Sequence, residues 1–263
     1  MTSWKIDRSR HPGWLFGYLM VLLNCVAWKA MEADAAESFT AAQTALYEQC
    51  ESGQPPDRIR DCSSAIDSKS FHGTQLAGLY LNRANAYDAT GDKDNARSDY
   101  SKAIELAPDN GVTWYNRAVF FASLHDYDHA MQDYDSALKI NPAFVEALYN
   151  RARLFEYKQS HAAALVDYTA AIQAAPNVSV LYLERGSVYL QQQQFNEALD
   201  DENHSISIDP SVGRAYLLRG MAYSHLGDKT RAYEDTMRAV KIDPSLAQGV
   251  KINAPPPGST PEH

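Results

Sequence analysis

The sequence predicts an all-α solenoid of five 34-residue helix–turn–helix repeats, preceded by a degenerate capping repeat. Three observations predict it. Five prolines, Pro108, Pro142, Pro176, Pro210 and Pro244, stand 34 residues apart. Small residues recur in the same register, and so do ten charged residues. A fixed period of this length marks stacked supersecondary units, each too small to bury its apolar face alone. With proline at position 32, the repeats are 77–110, 111–144, 145–178, 179–212 and 213–246.

Each position has a physical reading. Position 8 (Ala84, Ala118, Ala152, Gly186, Gly220) and position 20 (Ala96, Ala130, Ala164, Ala198, Ala232) are small, so two antiparallel helices can approach closely. The aromatics at position 11 (Tyr87, Phe121, Phe155, Tyr189, Tyr223) fill the space beside that contact. Proline at 32 stops the second helix, because it lacks an N–H and clashes with the preceding turn. Gly91-Asp92 and Gly227-Asp228 are turn signals between the two helices. Asp94, Asp126 and Asp228 lie in these turns and are expected to cap helix N-termini.

The repeats resemble the tetratricopeptide repeat (TPR). Trp114, Arg117, Ala118, Phe121, Ala130, Tyr134, Ala137, Leu138 and Pro142 carry the pattern in the second repeat. The resemblance covers 77–246 and implies a right-handed α-superhelix that binds other proteins. It implies no particular ligand.

Before the repeats, residues 1–35 read as a signal peptide. Lys5, Arg8 and Arg10 precede a 15-residue apolar run from Trp14 to Trp28, and Ala33-Asp34-Ala35 follows. The run is shorter than the roughly 20 apolar residues a spanning helix needs. Cleavage is expected after Ala35, with an uncleaved membrane anchor as the alternative. The expected compartment is the bacterial periplasm, because signal-bearing TPR proteins of this compact style resemble bacterial exported ones. Cys25 would leave with the signal, and an even pair, Cys50 and Cys62, would remain for a disulfide.

Residues 36–76 are the degenerate cap. Stepping back 34 residues from the first repeat puts Cys50 and Cys62 at positions 8 and 20, where the paired helices touch. The pair is expected to staple helices of about 39–52 and 57–67, joined at Gln54-Pro55-Pro56. At the other end, residues 247–263 form a proline-rich tail with Ala254-Pro255-Pro256-Pro257, expected to be largely unstructured. The last helix would expose Tyr233 and Val240. That face is either covered by residues 247–252 or is a self-association surface.

Arg83, Arg117, Arg151, Arg185 and Arg219 at position 7 match Asp99, Asp133, Asp167, Asp201 and Asp235 at position 23. An Arg fork can hold a carboxylate in two places while partly buried. A pair in every repeat serves the repeat itself, so the ladder is read as structural.

The family's ligand groove lies along the first helix of each repeat. Its residues here are Leu81, Asn85, Tyr115, Val119, Tyr149, Arg153, Leu183, Leu217 and Met221. Tyrosine combines contact area with a polar tip, which suits a binding surface. Position 6 offers Asn82, Asn116 and Asn150, but position 5 offers no lysine, so a carboxylate clamp is not supported. The groove suits a peptide or helical segment with apolar side chains.

Other chemistry finds no support. Net charge is −9, a poor match to nucleic acid. His125 and His129 have helical ligand spacing but straddle a turn, with no third ligand in the repeat frame, so no metal is expected. No nucleotide, nucleophile or metalloprotease motif is present, and no cofactor or small-molecule substrate is expected. The expectation is a non-enzymatic scaffold. The rival is a membrane-tethered assembly subunit, held by an uncleaved N-terminal helix and acting through its convex face or C-terminal end.

Overall fold

The computed structural model describes residues 40–247. The signal peptide and the proline-rich tail lie outside those residues. Twelve α-helices and a terminal 3₁₀ turn make up the described chain: α1 Ala41–Ser52, α2 Pro55–Asp67, α3 Gly73–Thr90, α4 Lys93–Leu106, α5 Gly111–Ser123, α6 Tyr127–Ile140, α7 Val145–Tyr157, α8 His161–Ala174, α9 Ser179–Gln191, α10 Phe195–Ile208, α11 Gly213–His225, α12 Lys229–Ile242 and the turn Pro244–Ala247. The odd-numbered members are the first helices of the hairpins. The chain divides into two compact units at Asn116/Arg117, within α5. Among the described residues no helix is long and apolar enough to cross a membrane.

In the second unit the small-residue contact is as the pattern requires. A Cβ added to Gly220 would lie 3.1 Å from the Ala232 carbonyl oxygen, so positions 8 and 20 bring backbones together. Ala118, Ala130, Ala152, Ala164 and Ala198 are fully buried. The turn between paired helices needs a left-handed residue at position 15. Gly227 takes it at φ 89°, while His125, Gln159 and Gln193 take it at φ 60°, 60° and 59°. His125 thus does a glycine's work in a turn. Its Nδ1 lies 2.8 Å from the Tyr127 hydroxyl, and His129 Nδ1 lies 2.8 Å from Asp126.

The caps differ in one detail from expectation. Asp126 and Asp228 accept from the N–H groups of His129 and Arg231. Asp94 sits inside the first turn of α4, and Asp92 is the cap, accepting from Asn95 N–H. Asp94 still lies near the positive end of the helix dipole.

The first unit corrects the register of the cap. Cys50 and Cys62 are bonded, with Cα atoms 4.5 Å apart, and both are fully buried. They are not at positions 8 and 20. Arg83 Nη1 donates to Ser63 Oγ, 20 residues earlier. Arg151, Arg185 and Arg219 make the same reach to Asp135, Thr169 and Asn203, each 16 residues earlier. Four extra residues therefore separate the cap from the first repeat. They form an added first turn on α3, which has 18 residues where α5, α7, α9 and α11 have 13. In the shifted frame Ala65 falls on position 27 and is fully buried, as Ala103 is. Cys50 and Cys62 fall on positions 12 and 24.

The helices of the cap also start differently. The prolines at 55 and 56 begin α2 instead of forming the linker, as suits a first turn whose N–H groups are unbonded anyway. Thr40 and Gln43 form a capping box at the start of α1. Cys50, Cys62, Ala65, Phe71 and Leu79 make the core of this end, with Leu46 and Tyr47 packed against it.

At the other end, Tyr233 and Val240 are half-buried, and Met237 is the large apolar residue left 42 % exposed on α12. The turn Pro244–Ala247 packs back on α11 and α12, with Leu246 beside Gly213. The segment expected to cover this face, 247–252, lies outside the described residues beyond Ala247.

Candidate functional site

Each ladder pair closes within its own repeat. Nε and Nη2 of each position-7 arginine donate to the two oxygens of its aspartate. The distances are 2.6 and 3.0 Å for Arg83–Asp99, 2.7 and 2.8 Å for Arg117–Asp133, 2.8 and 2.8 Å for Arg151–Asp167, 2.8 and 2.7 Å for Arg185–Asp201, and 2.8 and 2.8 Å for Arg219–Asp235. The aspartates are buried. In the first four repeats the aromatic at position 11 lies under the arginine: the guanidinium sits 5.8 Å from the Tyr87 ring, 5.6 Å from Phe121 and 5.8 Å from Phe155 and Tyr189. That contact is its role, more than filling space at the helix crossing. A fork closed on one side by a carboxylate and on another by a ring has little capacity left for a ligand.

The expected groove residues divide by burial. In the first unit, Leu81 and Tyr115 are half-buried, and Asn85 Oδ1 accepts from the Tyr100 hydroxyl at 2.6 Å. Asn85 is therefore engaged inside its own repeat. In the second unit, Val119, Arg153, Leu217 and Met221 are half-buried. Leu183 is 5 % exposed and forms a core cluster with Ala215 and Leu218, against which Met221 packs. Tyr149 is also buried, its ring 6.1 Å from that of Tyr168. Tyr149 thus packs within its own hairpin, and Leu183 packs against the next one.

What the second unit assembles around Tyr149 is polar. Arg153 Nη1 lies 3.4 Å from the Tyr149 hydroxyl, and its guanidinium is 5.7 Å from the ring. The Tyr168 hydroxyl donates to Glu156 Oε1 at 2.6 Å. Arg214 forks onto Glu184 at 2.6 and 3.1 Å. Burial first, then the charge of Glu184, pushes the Tyr149 hydroxyl up to about 12 against the opposing pull of Arg153. Burial also raises Tyr168, with Glu156 and Glu184 adding to it. The Glu184 charge holds Arg214 firmly protonated.

Glu202 completes the cluster and was not anticipated. It is fully buried on α10, and neither carboxyl oxygen has a hydrogen-bond partner. Burial pushes its carboxyl well above the usual range, with Arg214 opposing. Position 24 reads Tyr100, Tyr134, Tyr168, Glu202, Thr236, so the signal was a broken column in the repeat alignment. Tyr134 stands at this position in the pattern of the second repeat, and Glu202 departs from it. Among the described residues no group of three His, Cys, Asp or Glu side chains is placed to hold a metal ion.

Comparisons with known proteins bear on the fold. The Tetratricopeptide repeat family pattern matches residues 77–110 and 112–144, and a second pattern of the same description matches 213–246. No curated protein matches the chain. Among solved structures, YrrB, described as a TPR protein with an unusual peptide-binding site, is 21 % identical. It aligns over 71 % of this chain and 95 % of its own with a TM-score of 0.61. MamA from Desulfovibrio magneticus RS-1 is 21 % identical over 64 % and 96 % of the two chains, with a TM-score of 0.59. Pseudomonas aeruginosa pilF is 15 % identical over 79 % and 95 %, with a TM-score of 0.66. At these identities the likeness is one of fold.

Proposed function

From a chain that is a tetratricopeptide-repeat protein, a fold whose members hold other proteins, we propose an exported, non-enzymatic scaffold. It binds a peptide or helical segment of an envelope or secreted partner along its first-helix face. The observation that carries this reading lies on α7, α9 and α11. There Arg153 reaches the Tyr149 hydroxyl and Arg214 forks onto Glu184, while Leu217 and Met221 of α11 are half-buried. Apolar area edged by oriented polar groups suits an extended or helical segment. YrrB, named for its peptide-binding site, supports the reading by likeness of fold. Export is supported by the basic and apolar N-terminal run ending in Ala33-Asp34-Ala35, and by a buried disulfide, a bond that persists in oxidising compartments.

Crosslinked co-purification from the native envelope tests it. An Arg153→Ala/Leu217→Ala variant is preferred to Tyr149→Ala, because Tyr149 is buried packing. A partner captured by the wild type and lost by the variant, at an unchanged melting temperature, is the expected result. A partner held equally by both moves the interface off this face. Intact mass of the mature protein tests cleavage after Ala35.

One observation favours the rival, a tethered assembly subunit acting through its outer face. Val166 is 67 % exposed on α8, and the other well-exposed positions of that helix, Ala162, Gln173 and Ala174, carry no charge. A partner that survives the groove variant and is lost on Val166→Lys supports this second reading.

A further inference from the structure

Glu202 lacks a donor of its own. Arg214 acts on both Glu184 and Glu202, but its fork is spent on Glu184. Glu202 is left fully buried with both oxygens unpartnered. Carboxyls in that state are costly, and native proteins hold very few of them. The fold offers a ready alternative at this position. Tyr100 and Tyr168 occupy position 24 in their repeats and send their hydroxyls to Asn85 and Glu156. The fourth repeat replaces that tyrosine with an acid. It also places Gly186 opposite, where an added Cβ would lie 2.5 Å from Glu202 Oε1 and 3.2 Å from Asp201 Cβ. The glycine makes room for the carboxyl at the cost of helix stability.

We propose that the first-helix face of the fourth repeat seats one positively charged side chain of the bound segment, a lysine or arginine, between Glu184 and Glu202. The inference rests on the groove reading above and names the chemistry of its partner. The seat opens by rotation of the Arg214 side chain, which is 44 % exposed. The buried oxygens of Glu202 then gain donors. The charged groups acting on Glu202 are Asp201 and Glu184, which oppose its ionisation, and Arg214 and Arg219, which favour it. Arg219 is itself held by Asp235 and Asn203. A seated cation ionises Glu202 and releases its proton, so affinity rises with pH.

The probe is n-butylguanidinium, added to the full chain labelled at the glutamate carboxyl carbons, with n-butylurea as the uncharged control. The Glu202 resonance is identified by its loss in Glu202→Gln. The expected result is a saturable shift of that resonance toward the ionised position with n-butylguanidinium and none with n-butylurea. Calorimetry should show binding at least tenfold weaker in Glu202→Gln and in Glu202→Tyr, and weaker in the wild type as pH falls. The tyrosine variant carries the residue of three sister repeats, so it keeps the test interpretable if glutamine disturbs the fold. Equal binding by wild type and Glu202→Tyr, or a Glu202 resonance that does not move, overturns the seat. If the seat fails while Arg153→Ala/Leu217→Ala still loses its partner, the groove reading stands alone.

Discussion

Arg151 holds Asp167 through two hydrogen bonds of 2.8 Å and, with its remaining arm, reaches Asp135 in the preceding hairpin. One side chain thus ties the two helices of its own repeat and the second helix of the repeat before. Asp167→Ala leaves a partly buried guanidinium without its main counter-charge. Losing one member of such a pair costs about 3 kcal/mol. Urea unfolding should show a lower midpoint, while partner capture at temperatures where the fold persists stays unchanged. Lost capture with an unchanged unfolding curve would show the ladder to be a binding device.

The Cys50–Cys62 bond closes a short loop in the first helix pair of the described residues. By chain-entropy arithmetic such a loop contributes about 3 kcal/mol. Reduction, or a Cys50→Ala/Cys62→Ala variant, should expose residues 40–72 to limited proteolysis and leave cleavage within 117–247 unchanged. Equal protection with and without reductant would mean that the core of Phe71, Leu79 and Ala65 suffices.

Gln159 and Gln193 sit at φ 60° and 59° in the turn where Gly227 sits at φ 89°. A side chain in the left-handed region is strained, and glycine relieves that strain at some cost in unfolded-state entropy. Gln159→Gly and Gln193→Gly should each raise stability by about 0.5–1 kcal/mol. A lower melting temperature for both would mean that the glutamine side chains make compensating contacts.

The fold was legible because its determinants recur. A proline stop, a small–small contact and an Arg–Asp fork each appear five times, so any one can be read from the others. The cap was misread in register because its four extra residues were added as helix on α3, which leaves no loop signal in the sequence. The Arg83–Ser63 reach reveals them, being four residues longer than its counterparts. Tyr149 and Leu183 look like display residues from their period, yet both are buried, Tyr149 beside Tyr168 of its own hairpin and Leu183 against Ala215 and Leu218 of the next, and helical period alone cannot separate a displayed face from a packed one. Glu202 was legible only as an exception to a column of tyrosines.

Asp228 caps α12 by accepting the Arg231 N–H at 3.0 Å, and its side chain also takes the Arg231 Nε at 2.6 Å. The backbone hydrogen bond first, and then the guanidinium, hold its carboxyl below the ordinary value. A depressed folded pKa stabilises above the unfolded value, about 3.9, and the stability is lost as pH falls through the lower folded value. Asp228→Ala should therefore cost about 1 kcal/mol at neutral pH, the usual worth of an N-cap, and progressively less below about pH 4. A penalty that persists unchanged in strong acid would assign the loss to something other than the charged cap.

Glu202 has the opposite sign. Its folded pKa is raised, chiefly by burial, so the folded state binds its proton more tightly than the unfolded chain does. The contribution is most favourable below the unfolded value, about 4.3, and is lost as pH rises through the folded value. Each tenfold difference in proton affinity between the two states is worth about 1.4 kcal/mol. Glu202→Gln keeps the shape and abolishes the titration. Its unfolding free energy should match that of the wild type near pH 4 and exceed it increasingly toward neutral pH, with most of the gain in the second unit. Asp201 also titrates upward, from burial set against Arg185, and it remains in both proteins, so the difference between them isolates Glu202. A constant offset between the two proteins across that range would mean that Glu202 titrates at its ordinary value in the folded protein, and that its carboxylate finds a donor in solution.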